Sequence, residues 1–211
     1  MTIFYLDEVD STQEYLKERL KSKELVSPIA IVAKRQTHGQ GSRGNSWIGA
    51  DGNLFLSFCI SIKELPRDLR LESSSIYFSY IMKQVLEDHG SHVWLKWPND
   101  FYIGDVKIGG TITNIVKDDL VCGIGLNLVA APDIFEKLDV EISLENILEC
   151  YFNYLKKNIE WKHIFSKYKL EFRKSKNYFA HSGDDRISLG DVSLQDDGSI
   201  VSDGQRIYSL R

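Results

Sequence analysis

Three short stretches of the chain carry residues whose types and spacing can do chemistry. The first is the glycine-rich run Gln36-Thr37-His38-Gly39-Gln40-Gly41-Ser42-Arg43-Gly44-Asn45-Ser46-Trp47. Glycines let a backbone approach a ligand closely, and successive N–H groups can form an anion nest. Arg43 supplies a charge suited to phosphate, and Trp47 a flat face suited to a base or ring. The run lacks the Gly-Lys-Ser/Thr ending of a Walker loop, and its Gly39-x-Gly41-x-x-Gly44 opens no helix as a dinucleotide fingerprint would. The second stretch is Leu95-Lys96-Trp97-Pro98-Asn99-Asp100 with Lys107-Ile108-Gly109-Gly110 after it. If a strand carries Lys96 and a hairpin returns Lys107, two ammonium groups and a carboxylate converge at one end of a sheet. That arrangement suits a polyanion such as ATP, or a carboxylate. The third is Gly123-Ile124-Gly125-Leu126-Asn127-Leu128, in which the glycines mark a close approach and Asn127 is a polar group needing a partner. Taken singly, each stretch has a plainer reading: a surface loop, a capped turn with two solvated lysines, and strand bulges.

These residues need elements to position them. Ser11-Thr12-Gln13-Glu14 has capping-box spacing, and Tyr15, Leu16 and Leu20 recur at helical spacing, which predicts a helix over about 12–24. Pro28 opens a strand, Ile29 to Ala33, and the long aperiodic stretch 36–53 precedes a second strand in which Leu54, Leu56, Phe58, Ile60 and Ile62 alternate. A helix is predicted over 71–88 with Gly90 as its cap, then a strand from Val93 to Trp97 stopped by Pro98. Gly104-Asp105 reads as the turn of a hairpin, followed by strand runs 111–116 and 120–128. Two helices follow, marked by Leu144 to Leu155 and Trp161 to Phe172. Asp197-Gly198 and Asp203-Gly204 punctuate a strand-rich tail. The fold class expected is α+β, a mixed β-sheet packed with helices and a small all-β end.

Composition narrows the partners. A chain of 211 residues is one large domain or one with an appendage, and its formal net charge of −4 argues against a broadly basic nucleic-acid face. No apolar run reaches the ~20 residues of a membrane span, and the acidic start is unlike a secretory signal. Cys59, Cys122 and Cys150 are too scattered for a disulfide framework or zinc site and read as buried thiols of a reducing cytoplasm. The five histidines show no metal spacing.

Taken together, these motifs resemble those of the biotin protein ligases, enzymes that biotinylate the carrier domain of acetyl-CoA carboxylase. The resemblance spans Asp10-Ser11-Thr12-Gln13, the glycine loop with Trp47, Lys96-Trp97-Pro98-Asn99-Asp100, Lys107-Ile108-Gly109-Gly110 and Gly123-Ile124-Gly125-Leu126-Asn127. It implies a catalytic domain over 1–178, akin to class II aminoacyl-tRNA synthetases, and a shortened SH3-like β domain over 179–211. It implies biotin and ATP as substrates, Mg²⁺ as cofactor, and the biotin carboxyl carrier protein of acetyl-CoA carboxylase as partner. Neither nucleic acid nor membrane is expected as a partner, the location expected is cytoplasmic, and the assembly a monomer or weak homodimer without an N-terminal DNA-binding domain.

By the same resemblance, Ser11, Thr12 and Gln36 bond the ureido ring of biotin, while Gly39, Gln40, Gly41, Gly109 and Gly110 lie along it. Lys107 holds the biotin carboxylate and then the acyl-phosphate. Trp47, Lys96, Asn99 and Asn127 serve ATP, with Asn99 near Mg²⁺. Asp100 orients or deprotonates the incoming lysine. The chain departs from the usual Gly-Arg-Gly-Arg-x-Gly-Arg-x-Trp loop, with Gln40, Ser42 and Asn45 at the arginine positions. Either Arg43 takes over phosphate contact or the adenylate is held less tightly. Rival readings are a lipoate or octanoate ligase on the same body, a biotin-responsive DNA-binding regulator, and a carrier-binding module without catalysis.

Overall fold

The computed structural model describes all residues except 42–44, 48, 133–134, 183–184 and 210–211. Its centre is a seven-stranded sheet in the order β1-β2-β3-β7-β6-β5-β4. The strands are β1 (Thr2–Val9), β2 (Ile29–Gln36), β3 (Leu54–Ser61), β4 (Trp94–Lys96), β5 (Asp100–Ile103), β6 (Val106–Val116) and β7 (Asp119–Leu126). Only β1 and β2 pair in parallel; the other neighbours are antiparallel. A parallel pair needs a crossover, and α1 (Thr12–Ser22) supplies it. The Ser11 hydroxyl caps α1 by accepting from Glu14 N–H at 3.4 Å, as the capping-box spacing predicts.

The two faces of the sheet are covered unequally. Ala30, Val32, Leu54, Leu56, Phe58, Leu120, Cys122 and Ile124 point into a large core shared with α2 (Ser74–Asp88), α3 (Leu144–Lys156) and α4 (Trp161–Glu171). Residues of the opposite parity, Ile29, Ile31, Cys59 and Val121, pack under Leu16 and Leu20 of α1. At 11 residues α1 is about 16 Å long, so it roofs only part of its face. The part it leaves open is where the motif residues gather.

Three elements differ from expectation. The segment Thr2–Val9 is an edge strand, which the sequence reading did not assign: its exposed Phe4 and Tyr5 adjoin each other and break the alternation that marks a half-buried strand. The return arm of the hairpin at Gly104-Asp105 and the strand run expected at 111–116 are one strand, β6, because Gly109 and Gly110 stay extended and in register with Leu126 and Gly125. The helix expected from residue 71 begins at Ser74, after a 3-10 turn over Leu71–Ser73. Of the cysteines, Cys59 and Cys122 are buried and Cys150 half-buried.

Beyond α4 the chain forms β8 (Phe179–Ser182), β9 (Asp185–Ser188), β10 (Ser193–Leu194), β11 (Ile200–Ser202) and β12 (Gln205–Ile207). β8 and β9 make a two-stranded sheet, and β10 to β12 a three-stranded one. Ala180, Leu189, Val192, Ile200 and Ile207 from this tail join the same core as α2 to α4.

Candidate functional site

On the open half of the α1 face, parity places Phe55 and Ser57 of β3, Gly123 and Gly125 of β7, and Ile112 of β6 side by side, and all five line a narrow, partly open cleft. Glycine is required at two of these floor positions. A Cβ on Gly123 would lie 2.6 Å from Gln13 Oε1, and one on Gly125 would lie 2.6 Å from the Trp47 ring. β7 therefore opens the cleft by omitting side chains. The first turn of α1 forms the roof, with Ser11, Thr12 and Gln13 each buried to within 3 % of full burial.

The polar end of this cleft is tightly bonded. Gln36 Oε1 accepts from the Thr12 backbone N–H at 2.7 Å and from Thr12 Oγ1 at 3.0 Å. Thr12 Oγ1 is 2.9 Å from Ser57 Oγ, which donates to Gln13 Oε1 at 3.0 Å. Thr111, of opposite parity to Ile112, has its hydroxyl buried on the α2 side of the sheet without a hydrogen-bond partner among the described residues, and borders the cleft at the edge of β6. Such a set offers both donors and acceptors to a compact polar ring.

The charged end lies where β4, β5 and β6 meet. Asp100 Oδ1 accepts from Lys107 Nζ at 2.6 Å, and Oδ2 from Lys96 Nζ at 3.3 Å. The register Lys96↔Asp100 across β4 and β5, and the return of β6 through the Gly104-Asp105 turn, bring the three groups together as the motif spacing predicts. Burial pushes the Asp100 carboxyl up, but Lys107 and then Lys96 outweigh it and hold the group below its ordinary value. Asp100 is therefore ionised at neutral pH, and two cations share one counter-charge. Asn99 is anchored by its Nδ2, which donates to the Thr111 carbonyl. A second, adjoining compartment is lined by Lys96, Asn99, Asp100 and Lys107 together with Lys17, Ser75 and His181. The two compartments share Gln40, Gly41, Asn99, Asp100, Lys107 and Ile112, so the cleft is continuous.

On either side of residues 42–44 the glycine run pairs with itself beside this junction. Gln40 bridges Ser46, Gly41 N–H donates to Asn45 O at 2.7 Å, and Trp47 N–H donates to Gly39 O at 2.7 Å. Gly39 has no room for a side chain, since a Cβ would lie 2.4 Å from Trp47 O. Arg43 lies outside the described residues, as do Ser42 and Gly44. The Trp47 ring covers Gly125 and meets Phe135 edge-on at 6.4 Å, and its indole N–H is buried without a partner among the described residues.

Ser11, Thr12, Gln36, Gln40, Gly41, Trp47, Asn99, Asp100, Lys107 and Gly110 thus line the first compartment, and Lys96 the second. Gly109 and Asn127 are placed behind the cleft. Gly109 lets β6 pass close to β7, where a Cβ would lie 2.4 Å from Gly125 O. Asn127 is buried, accepting from Asn53 Nδ2 and donating to Glu136 O at 3.2 Å each, which ties down the segment after β7. Sequence reasoning missed Ser57, Gln13 and Phe55. Ser57 carried a usable signal, as a hydroxyl in the otherwise apolar run Leu54–Ile60.

Residues 5–127 match the model of the biotin/lipoate A/B protein ligase family. The bifunctional ligase/repressor BirA of Escherichia coli is 32% identical over 134 residues, covering 60% of this chain and 40% of that protein. A biotin–[acetyl-CoA-carboxylase] ligase of Mycobacterium tuberculosis is 26% identical over 58% of this chain and 48% of its own length. The chain thus spans less than half the length of these curated relatives. Among solved structures, the biotin acetyl coenzyme A carboxylase synthetase of Helicobacter pylori with bound biotinylated ATP has a TM-score of 0.94 at 40% identity, covering 98% of this chain and 99% of that one. The biotin protein ligase of Aquifex aeolicus in complex with biotin and ATP has a TM-score of 0.78 at 26% identity, covering 100% and 96%. The family match takes in α1, the glycine hairpin, both lysines and the glycine-floored strand β7. The chain belongs to the biotin/lipoate A/B protein ligase family.

Proposed function

We propose that the chain ligates biotin to a lysine of a carrier domain, that of acetyl-CoA carboxylase, using ATP and passing through biotinyl-5′-AMP. The observation that carries this reading is one continuous cleft with a ring-sized polar end at Thr12 and Gln36 and a cationic end at Lys107 and Lys96. Likeness to the Helicobacter enzyme seen with biotinylated ATP supports it.

The residues suit the chemistry. A carboxylate oxygen must attack the α-phosphorus while pyrophosphate leaves, so two anions have to meet. Lys107 offsets their repulsion and follows the charge as it moves to the acyl-phosphate. Fixing both substrates in one cleft converts the encounter into an intramolecular one. In the second half-reaction a lysine amine attacks the acyl carbon, a C–N bond forms, the acyl C–O bond breaks and AMP leaves. A carboxylate held low by two ammonium groups is a weak base, so Asp100 acts by positioning Lys107 and Lys96 rather than by taking the proton. Mg²⁺, when bound to the nucleotide, neutralises phosphate charge. That cation would be held largely by phosphates and water, with Asn99 Oδ1 as the protein's contribution.

Within this reading residues 1–178 are the catalytic domain and 179–211 a shortened SH3-like unit, the protein works in the cytoplasm as a monomer or weak dimer, and the glycine hairpin closes over the adenylate. With glutamine, serine and asparagine at its arginine positions, the hairpin releases biotinyl-adenylate faster than an arginine-complete one. Gln40→Arg with Asn45→Arg is then expected to lengthen the adenylate half-life several-fold; an unchanged half-life rejects the leaky-hairpin account. The reading itself is tested by incubating the purified protein with a carrier domain, ATP and Mg²⁺, supplying biotin in one arm and lipoate in the other. Transfer of biotin alone is expected. Transfer of lipoate, or carrier binding without any transfer, replaces the reading with a lipoate ligase or a binding module.

A further inference from the structure

Strand alternation alone would not turn Lys107 into the cleft. Gly110 and Ile112 of β6 line it, so an unbroken strand would aim Lys107, with Gly109 and Thr111, at the core. The pairing of β5 with β6 reverses this. Asp100 pairs with Gly110 and Phe101 with Gly109, but Tyr102 pairs with Lys107, so the register slips by one and Ile108 is the extra residue. Ile108 and Gly109 are buried in succession opposite Phe101, and Ile108 lies in the core shared with α2. A bulge of this kind re-aims the side chains beyond it. Here it puts Lys107 on the cleft face, with Nζ 2.6 Å from Asp100 Oδ1. Lys96 needs no such help, because β4 and β5 pair without a slip.

A bulge also disrupts the ladder, and beyond this one the strands share two pairs, Tyr102 with Lys107 and Ile103 with Val106, before the turn. Side chains hold that turn instead. Trp94 Nε1–H donates to Gly104 O at 2.8 Å, and the Tyr178 hydroxyl donates to Asp105 Oδ1 at 2.6 Å. The rings of Trp94, Tyr102 and Tyr178 all touch one another, with centroids 5.2, 5.3 and 5.5 Å apart. Trp94, Tyr102 and Lys107 are successive partners across β4, β5 and β6, so two rings and the lysine share one face. Tyr178 reaches them from outside this sheet. It follows the 3-10 turn Phe172–Asn177, and its carbonyl accepts from the N–H of Leu189, a tail residue in the core, at 2.9 Å.

We propose that Tyr178 is a positioning residue for Lys107: it fastens the Gly104-Asp105 turn and backs the Tyr102 ring, which fixes the aim of the lysine beyond the bulge. Tyr178 lines neither compartment of the cleft, so it acts on adenylate formation through Lys107 and not by touching a substrate. The start of the tail thereby bears on the step in which charge moves onto the acyl-phosphate. This deepens the ligase reading and rests on it.

Biotin-dependent ATP–pyrophosphate exchange by the full chain gives kcat and the two KM values for the wild type, Tyr178→Leu, Lys107→Ala and the double variant. Tyr178→Leu removes both the ring and the hydroxyl. It is expected to lower kcat about tenfold while each KM changes less than twofold, because a misaimed lysine costs transition-state stabilisation rather than substrate binding. In the Lys107→Ala background the same substitution is expected to change the residual kcat less than twofold. An unchanged kcat, or an equal loss in both backgrounds, overturns the proposal. Should Tyr178→Leu not fold, Tyr178→Phe keeps the ring and removes only the bond to Asp105; it is expected to lower kcat about threefold, and an unchanged kcat there overturns the proposal as well. A wild type without biotin-dependent exchange overturns the functional reading itself, which separates the two failures.

Discussion

Asp100 sits between Lys107 at 2.6 Å and Lys96 at 3.3 Å, so one carboxylate keeps two ammonium groups close together in the cleft. Each lysine is poised to release part of its contact when a phosphate arrives, and the protein need not gather cations at that moment. Lys107→Ala is expected to lower biotin-dependent ATP–pyrophosphate exchange by about 10²- to 10³-fold with little change in melting temperature. Near-normal exchange would remove Lys107 from the mechanism. The carboxylate has its own pH signature. Its folded pKa lies below the unfolded value of about 3.9, so its stabilisation is complete above that value and is lost as pH falls through the folded one. Asp100→Asn should flatten the acid limb of the stability–pH curve. At neutral pH it should cost about 2 kcal/mol, because two partly buried ammonium groups lose their counter-charge. Denaturant titrations at pH 7 and pH 3.5 check both, and an acid limb as steep as the wild type's would refute the assignment.

Among the elements, what could be read from the chain and what could not have different physical origins. Helix α1, the Gly104 hairpin and strand β3 were legible because their periodicity and caps are local. The convergence of Lys96, Asp100 and Lys107 followed from a strand and a hairpin alone. The roles of Gly109 and Asn127 were not legible, since a glycine that lets strands approach and one that floors a cleft look alike until strand parity is known. Gln13 and Ser57 lie 44 residues apart, and only the crossover of β1 to β2 through α1 brings them together. Strand β7 yields a direct test of the floor. Gly125→Val would drive a branched side chain into the Trp47 ring, which a single Cβ already meets at 2.6 Å. The variant is expected to stay folded, to raise the KM for ATP at least tenfold and to red-shift indole fluorescence as Trp47 leaves its seat. Unaltered ATP kinetics would mean that Trp47 does not form part of the nucleotide wall.

At the scale of the whole molecule, the tail is joined to the body through polar contacts as well as core packing. The Trp97 indole N–H, from the motif between β4 and β5, donates to the Gly198 carbonyl at 2.8 Å. Asp197 is buried and bonded to Arg206 at 2.7 Å, with Arg70 of the body at 3.4 Å. Burial raises the Asp197 carboxyl, but Ser199 and Arg206 bring it below its ordinary value. Composition alone suggests a separable appendage here, whereas the shared core and these contacts predict one cooperative unit. Calorimetry should record a single transition with equal calorimetric and van't Hoff enthalpies, and two resolved transitions would refute this. Arg206→Ala should lower the denaturant midpoint slightly, as the buried Asp197 loses one of its partners, and an unchanged midpoint would show that Ser199 alone holds that carboxylate.

The two turns of that tail differ in a way that can be put to use. Gly198 is hemmed in, since a Cβ would lie 2.8 Å from Ile76 of α2, whereas a Cβ on Gly204, at the tip between β11 and β12, would meet nothing within 4 Å. The tip is thus a ready attachment point for foreign sequence. A reporter or a targeting peptide grafted at Asp203-Gly204 would travel with the molecule and stay clear of the cleft, while the same graft at Gly198 would push on the corner that carries Trp97.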